Sequence, residues 1–408
     1  MCQLCWAKPL DRTEVERLAI ASQPRLEAAR LEWESTRHLI DQADRSPNPT
    51  LGLNSEAPAL RSVSRVQLSW SQALETGGKR QARVHLAQLV SRQAELRQEE
   101  SRRLLLLEAR QAFAELLWAD RRVQLEQEAA QLTSRQWEVA KQRYGLGDVP
   151  LVEVLQLEAE HSRRQAACQQ AELEVSSRRS ALASRLGTKP EETQVEGKLG
   201  GCAGLPELER LVERALQERP ELIVLRLTQE RCLAESQLEE ARGVSDLTLQ
   251  LGLAYDRTYI SPADVPSNGL TGIGLPVMSV MAGLSLPLPI ADDNSGNVEA
   301  ARSRGQAALS EEQALLRELR GEVESAYWLV LANQKSRQTL TEQTLPLTAR
   351  SLHILEEAYR VRARPLTDLL AARQAYLEAR RSELEAARQE ELALVRLQAA
   401  CLQDFDRK

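Results

Sequence analysis

The same order of features occurs twice along this chain, at a spacing of roughly 200 to 215 residues, so whatever one half folds into the other must fold into as well. Pro24-Arg25-Leu26, opening a helical pattern, corresponds to Pro220-Glu221-Leu222, and Leu51-Gly52-Leu53 corresponds to Leu251-Gly252-Leu253. Leu68-Ser69-Trp70 matches Leu284-Ser285-Leu286, Ala112-Phe113 matches Ala326-Tyr327, and Tyr144 with Pro150-Leu151 matches Tyr359 with Pro365-Leu366. Each half reads helix, strand, strand, very long helix, tight turn, helix.

The helices set the scale. Between about Arg80 and Arg143 there is neither Pro nor Gly, a run of roughly 64 residues or about 95 Å at 1.5 Å per residue. Its counterpart, from about Val298 to Arg360, is interrupted only by Gly305, Gly321 and Pro346. Such lengths indicate coiled-coil packing rather than an ordinary globular core. Composition agrees: 408 residues carry only 2 Phe and 6 Tyr, and the apolar material is Leu, Ala and Val set among Arg, Glu and Gln. Each long helix ends in a sharp turn, Tyr144 to Pro150 or Tyr359 to Pro365, and a returning helix of roughly 36 residues follows. Each half therefore presents a helical hairpin with its tip far from the strands.

The strands alternate with period two. In residues 247–255 Leu247, Leu249, Leu251, Leu253 and Tyr255 fall on one face, with Thr248, Gln250, Gly252 and Ala254 on the other. Residues 280–290 repeat the pattern, and the first half has shorter versions at Leu51 and Leu53 and at Val66, Leu68 and Trp70. A soluble half-buried strand alternates in the same way. Four strands among some 300 helical residues cannot make a sandwich, however, and Leu opposite Gly, Ser and Thr suits lipid outside and water inside. Four strands also cannot close a barrel, since roughly eight is the smallest number that does, and open edges are not tolerated in lipid. Closure requires other copies of the chain, and three copies give twelve strands.

Other classes are excluded on composition and motif. A formal charge of -6 with acidic and basic residues interleaved gives no field for nucleic acid. No apolar run reaches the roughly 18 residues of a spanning helix. The cysteines (Cys2, Cys5, Cys168, Cys202, Cys232, Cys401) are scattered, and His38, His85, His161 and His353 stand apart, so no metal or other cofactor is expected. No Ser-His-Asp set, HExxH, P-loop or GxGxxG indicates an enzyme. The opening MCQLCWAKPL has neither the cationic n-region nor the apolar h-region of a secretory signal, which by itself points to the cytoplasm. Residues 1–8 are accordingly expected to be a leader remnant or a disordered N-terminus.

At these residues the chain resembles the TolC-like outer-membrane efflux proteins, from about Pro9 to Cys401. LSWSQALETGGKRQAR (68–83) and LSLPLPIADDNSGNVEAA (284–301) resemble the strand-to-helix junctions of the heavy-metal branch, the cobalt-zinc-cadmium resistance type. The resemblance implies a mostly α fold with a small β part: a trimeric twelve-stranded β-barrel in the outer membrane, continuous with a long α-helical barrel across the periplasm. It implies a passive duct for export of small solutes, with heavy-metal cations as candidate cargo. Its partners would be two further copies, membrane lipid, a periplasmic adaptor and a proton-driven inner-membrane pump. At the junctions Gly77, Gly78 and Gly296 are expected to supply the unusual φ values, and Lys79, Arg80 and Arg83 are expected to be solvated charges at the rim. At the tips, Tyr144 and Tyr359 match tyrosines that hold the family's entrance shut. Asp368 matches one entrance carboxylate, Glu153 is its counterpart in the first repeat, and Arg364 is a candidate partner. Gly147 and Asp148 lie in the first tip turn, and Arg362 stands where the first turn has Gly147.

The expected boundaries are a first repeat over 9–196 (strands 48–56 and 63–74, hairpin 80–186) and a linker or equatorial segment over 197–219. The second repeat covers 220–401 (strands 245–257 and 280–290, hairpin 298–401), followed by a tail over 402–408. The rival reading is a soluble cytoplasmic or periplasmic coiled-coil scaffold.

Overall fold

The structure, a computed structural model, describes residues 9–56, 62–201, 204–259 and 276–403. The expectations for 1–8, for Cys202 and for most of the tail lie outside the described residues. In order the elements are α1 (Arg12–Ser22), α2 (Pro24–Ala43), β1 (Thr50–Glu56), β2 (Ser62–Leu74), α3 (Lys79–Gly145) and α4 (Leu151–Leu186). The second repeat supplies α5 (Leu208–Glu218), α6 (Pro220–Gly243), β3 (Leu247–Tyr259), β4 (Val277–Ser285), α7 (Ser295–Thr339), α8 (Leu345–Arg360) and α9 (Leu366–Cys401). The chain divides into two compact units. Among the described residues no helix is long and apolar enough to cross a membrane.

One unit comprises Leu31–Leu96 and Val224–Glu312. Its centre is an antiparallel sheet of order β1-β2-β3-β4, in which the central pair joins one repeat to the other. The register turns the period-two pattern into rows across four strands. Leu51, Trp70, Leu251 and Ala282 form one row, and Leu53, Leu68, Leu253 and Val280 form another. The intervening rows are Thr50, Ser71, Gln250 and Gly283, then Gly52, Ser69, Gly252 and Met281. One face is thus apolar, with Leu51, Leu53, Leu68, Leu251, Leu253 and Val280 all exposed. The other face is mainly small and polar, and carries the Thr50–Ser71 hydroxyl pair at 2.6 Å and an Arg65–Asp256 ion pair. The fourth strand ends at Ser285 rather than at residue 290. Leu286, Leu288 and Ile290 continue the alternation, but Pro287 and Pro289 have no N–H to give to a ladder.

The strand-to-helix junctions of both repeats pack on the end of α6. Gly77 and Gly78 are left-handed (φ 66° and 75°), and a Cβ on Gly77 would stand 2.9 Å from that of Val244. At the second junction the left-handed residue is Asn294 (φ 64°), whose amide donates to the Glu239 carbonyl and carboxylate at 2.8 and 2.7 Å. Gly296, expected to serve there, instead lies in the first turn of α7 with no positive φ. Asn tolerates the left-handed region because its short polar side chain bonds locally, which displaces the need for glycine.

The junction charges are not simply solvated. Lys79 is 9 % exposed and donates to Asp246 at 2.6 Å, a carboxylate that also accepts from the Thr76 N–H. Arg80 pairs with Asp44 and Arg83 with Glu75. Asp246 and Asp44 come from segments distant in sequence, whereas Glu75 is local to the junction, so charge ties separate parts of the chain together here.

The second unit comprises Met1–Arg30, Arg97–Ile223 and Gln313–Lys408. It has two equivalent cores. In the first, Val15 and Ala19 of α1 pack on Ala109, Phe113 and Leu116 of α3 and on Leu182 and Leu186 of α4. In the second, Leu211, Val212 and Ala215 of α5 pack on Val323 and Val330 of α7 and on Leu394 and Leu397 of α9. The second part of the segment expected to be a linker is thus the helix α5, short but with one apolar face.

Long-range ion pairs hold α3 against α9: Glu115 with Arg388, and Glu126 with Arg381 through two bonds of 2.7 Å. Glu126 is 2 % exposed, so removing Arg381 would leave an uncompensated buried charge at a cost of about 3 to 5 kcal/mol. A π-helical turn, Leu340–Thr344, separates α7 from α8 immediately before Pro346. Pro346 has no N–H for the preceding turn and its ring crowds the carbonyl four residues back, and the wider turn relieves that crowding.

These junctions can be tested on the purified protein. Gly77→Ala forces a left-handed alanine, costing about 1 to 2 kcal/mol before any clash with Val244, and should lower Tm measurably. Asn294→Gly keeps the backbone and loses the Glu239 bonds and the exposed bond accepted from Asn297, so its Tm should fall less. Equal loss in both variants contradicts the assignment of strain to Gly77.

Candidate functional site

The two hairpin turns, α3 to α4 and α8 to α9, are built bond for bond alike. Gly147 N–H donates to the Tyr144 carbonyl at 2.9 Å and Asp148 N–H to the Arg143 carbonyl at 2.8 Å. In the second turn Arg362 donates to Tyr359 at 3.0 Å and Ala363 to Ala358 at 2.8 Å. Gly147 and Arg362 occupy the same left-handed corner, with φ of 77° and 61°. Pro150 and Pro365 then launch α4 and α9 with extended backbone. An arginine holds a place that glycine fills at no steric cost.

Beneath the turns lies one shared apolar core. Ala140, Val149, Val154, Leu157, Leu366 and Leu369 are buried together, with Trp137, Leu352 and Tyr359 against them. This core fixes one hairpin tip against the other and positions the polar groups above it. The Tyr359 hydroxyl donates to Glu153 Oε2 at 3.0 Å. Burial lifts the Tyr359 phenol above its ordinary pKa, and the carboxylate it bonds lifts it further. Asp148 is held from both turns, by Arg362 Nη2 at 3.2 Å and by Arg143 Nε at 3.6 Å. Arg364 stands 3.5 Å from Asp368 within the first turn of α9.

The structure brings Asp148, Glu153, Tyr359 and Arg364 to one cavity of about 360 Å³, which Arg143 and Arg362 also line. Asp368 sits beside it through Arg364. Gly147 shapes the turn without lining the cavity. Tyr144 is exposed, and its hydroxyl has no partner among the described residues. The roles of Arg143 and Arg362 are not foreseen in the sequence, although an arginine in the slot of Gly147 is itself a signal. Among the described residues no group of three or more His, Cys, Asp or Glu is placed to hold a metal ion. Three cations and two carboxylates around a wet cavity can form and break ion pairs.

Comparison with known proteins places this geometry in context. The model of the family described as "Outer membrane efflux protein" matches residues 16–188 and 211–401. The chain is 26 % identical over 375 residues to the cobalt-zinc-cadmium resistance protein CzcC of Cupriavidus metallidurans, covering 92 % of this chain and 85 % of that protein. Its fold is similar to that of CusC (TM-score 0.78, 14 % identity, covering 97 % of this chain and 93 % of that one). It is also similar to the outer membrane protein VceC of Vibrio cholerae (TM-score 0.74, 18 % identity, 97 % of both chains).

The exposed Arg362–Asp148 pair, with Arg362 66 % exposed, contributes about 0.2 to 1 kcal/mol, whereas a left-handed arginine costs about 1 to 2 kcal/mol. Arg362→Gly should therefore unfold at an equal or higher temperature than the parent. A Tm lower by several degrees would mean that the bridge outweighs the strain.

Proposed function

Because the chain belongs to the outer membrane efflux protein family, channel components rather than enzymes, we propose that three copies assemble into one export duct. The observation that carries the trimer is the four-stranded sheet, apolar on one face, mainly small and polar on the other and, among the described residues, open at both β1 and β4. Three such sheets, joined edge to edge, make a closed barrel of twelve strands with lipid on the leucine face and water on the other. The long helices of the three copies form an α-helical tube in the periplasm. That tube works with a periplasmic adaptor and a proton-driven inner-membrane pump.

The cargo in this reading is heavy-metal cations, supported by the likeness to CzcC and requiring no ligand set of the duct's own. The tip cavity is the entrance gate. Tyr359 with Glu153, and Arg362 with Asp148, hold the two hairpins of one copy together in the closed state, and Asp368 with Arg364 sets the charge of the constriction. Tyr144 belongs to the rim of that gate. Gly77, Gly78, Lys79 and Arg80 keep the junction below the barrel rigid.

The barrel is tested on its two faces. Mass photometry in detergent should find trimers, and Leu253→Arg on the apolar face should cost roughly 2 to 4 kcal/mol and impair assembly. Gln250→Arg on the opposite face should assemble like the parent. A stable water-soluble monomer, or equal tolerance of both substitutions, overturns the barrel.

The gate is tested separately by single-channel recording. Asp368→Asn removes one charge per copy, so block by divalent and trivalent cations should weaken. Tyr359→Phe loses one hydrogen bond, about 1 kcal/mol, and should raise the open population. Parent-like conductance and block in both variants would discard these gating roles and leave the duct standing.

A further inference from the structure

The apolar core beneath the hairpin turns is not filled. A cavity of about 310 Å³ opens into it, walled by both hairpins: α3 and Leu157 of α4 on one side, Tyr359 of α8 with Leu366 and Leu369 of α9 on the other. Its floor is apolar, and Ala140, Val149, Leu157, Leu366 and Leu369 are all buried. Protein interiors close-pack, and voids larger than a water molecule are few. The origin of this one is written in the duplication. Ala140 lies 215 positions before Leu355, the separation that also relates Tyr144 to Tyr359, so the first repeat has a methyl group where the second has an isobutyl group.

The rim is cationic. Arg135 and Arg143 stand there with Glu356. Glu356 is engaged by Arg373 at 2.9 Å, and Arg143 reaches Asp148 only at 3.6 Å. Arg135 is exposed and has no ion-pair partner among the described residues, whereas Arg381 and Arg388, deeper in the hairpin, are paired to carboxylates. Apolar walls with a few convergent polar groups are the usual make-up of a small-molecule site. An apolar void of about 150 Å³ takes up a benzene ring, so this cavity has room for two fused rings or a short acyl chain. The arginines at its rim call for a negative head.

We propose that this cavity binds a small amphipathic anion, with an apolar body against Leu157, Tyr359 and Leu369 and a carboxylate at Arg135. Because both hairpins wall the cavity, the bound molecule adds contacts between them and favours the closed tip. The site stands on the cavity itself. Its effect on conduction rests on the gate reading, through Tyr359, which lines this cavity while its hydroxyl bonds Glu153.

The test uses the full-length protein in non-ionic detergent with 2-naphthoate, octanoate and, as the cationic counterpart, 2-naphthylmethylammonium. Isothermal titration calorimetry against matched detergent should give one 2-naphthoate per chain, bound at least about tenfold more tightly than the ammonium compound. Octanoate binding as tightly as 2-naphthoate supports the site with an acyl body, and weaker binding of octanoate supports it with an aromatic one. Ala140→Leu, which restores the residue of the other repeat, should abolish binding while Tm stays at or above that of the parent. Arg135→Gln should weaken 2-naphthoate roughly twofold to fivefold, and Arg135→Glu should reverse the preference toward the ammonium compound. These two variants change an exposed, unpaired position and decide the matter if Ala140→Leu lowers Tm.

In single-channel recordings 2-naphthoate should lower the open population of the parent and leave Ala140→Leu unaffected. No saturable binding, equal binding of the two charges, or binding that survives Ala140→Leu in a folded protein overturns the proposal. A trimer that Ala140→Leu converts to monomers in mass photometry marks the cavity as the seat of a neighbouring copy's side chain and also overturns it. Saturable binding that Ala140→Leu abolishes, with conductance unchanged by the ligand, keeps the site and discards the gating role of Tyr359.

Discussion

Strands β1 and β4 each leave one row of backbone N–H and C=O groups without a strand partner among the described residues. In water such an edge invites association, and in lipid each unpaired group costs several kcal/mol. The rest of the molecule is arranged around that demand. One sheet face is apolar across all four strands, and the polar face holds its own hydroxyl pair and ion pair, so neither face needs a covering layer from the same chain. The junctions are fixed by left-handed glycines and a nearly buried lysine, which keeps the edges in a reproducible position for pairing.

The helical unit solves a different problem with different residues. Long helices of Leu, Ala, Arg and Glu have little aromatic bulk to define how far one slides along another. A ladder of charges along α3 and α9 supplies that definition, from Glu115–Arg388 through Glu126–Arg381 to Gln136–Arg373. Each rung is an expensive group to bury alone, so a slip of one turn would strand several at once. Specificity of register is therefore polar, while adhesion comes from the apolar clusters between the rungs.

Duplication, the long hairpins and the two-faced strands are legible in the residues because each follows from a period. What needs knowledge of distant partners is not. The end of β4 is misread since leucines go on alternating past Ser285 while the prolines between them cannot join a ladder. Lys79 reads as a solvated charge until Asp246, from the other repeat, is seen beside it. The turn residues of the tip could be matched between repeats, yet nothing in the order of residues says that Arg362 reaches Asp148 across the two turns. Helix α5 is short enough for its apolar face to pass as a linker.

The π-helical turn before Pro346 has a genealogical consequence. Ala112 and Ala326 are 214 positions apart, as are the core residues Leu116 and Val330, whereas Tyr144 and Tyr359 are 215 apart. The second hairpin is therefore one residue longer than the first between Val330 and Tyr359, the interval that holds the turn. An inserted residue in an uninterrupted α-helix rotates everything after it by about 100° and would swing Tyr359 and Leu352 out of the tip core. The wide turn absorbs the difference, so two halves that differ in length still deliver matching faces to the same tip core.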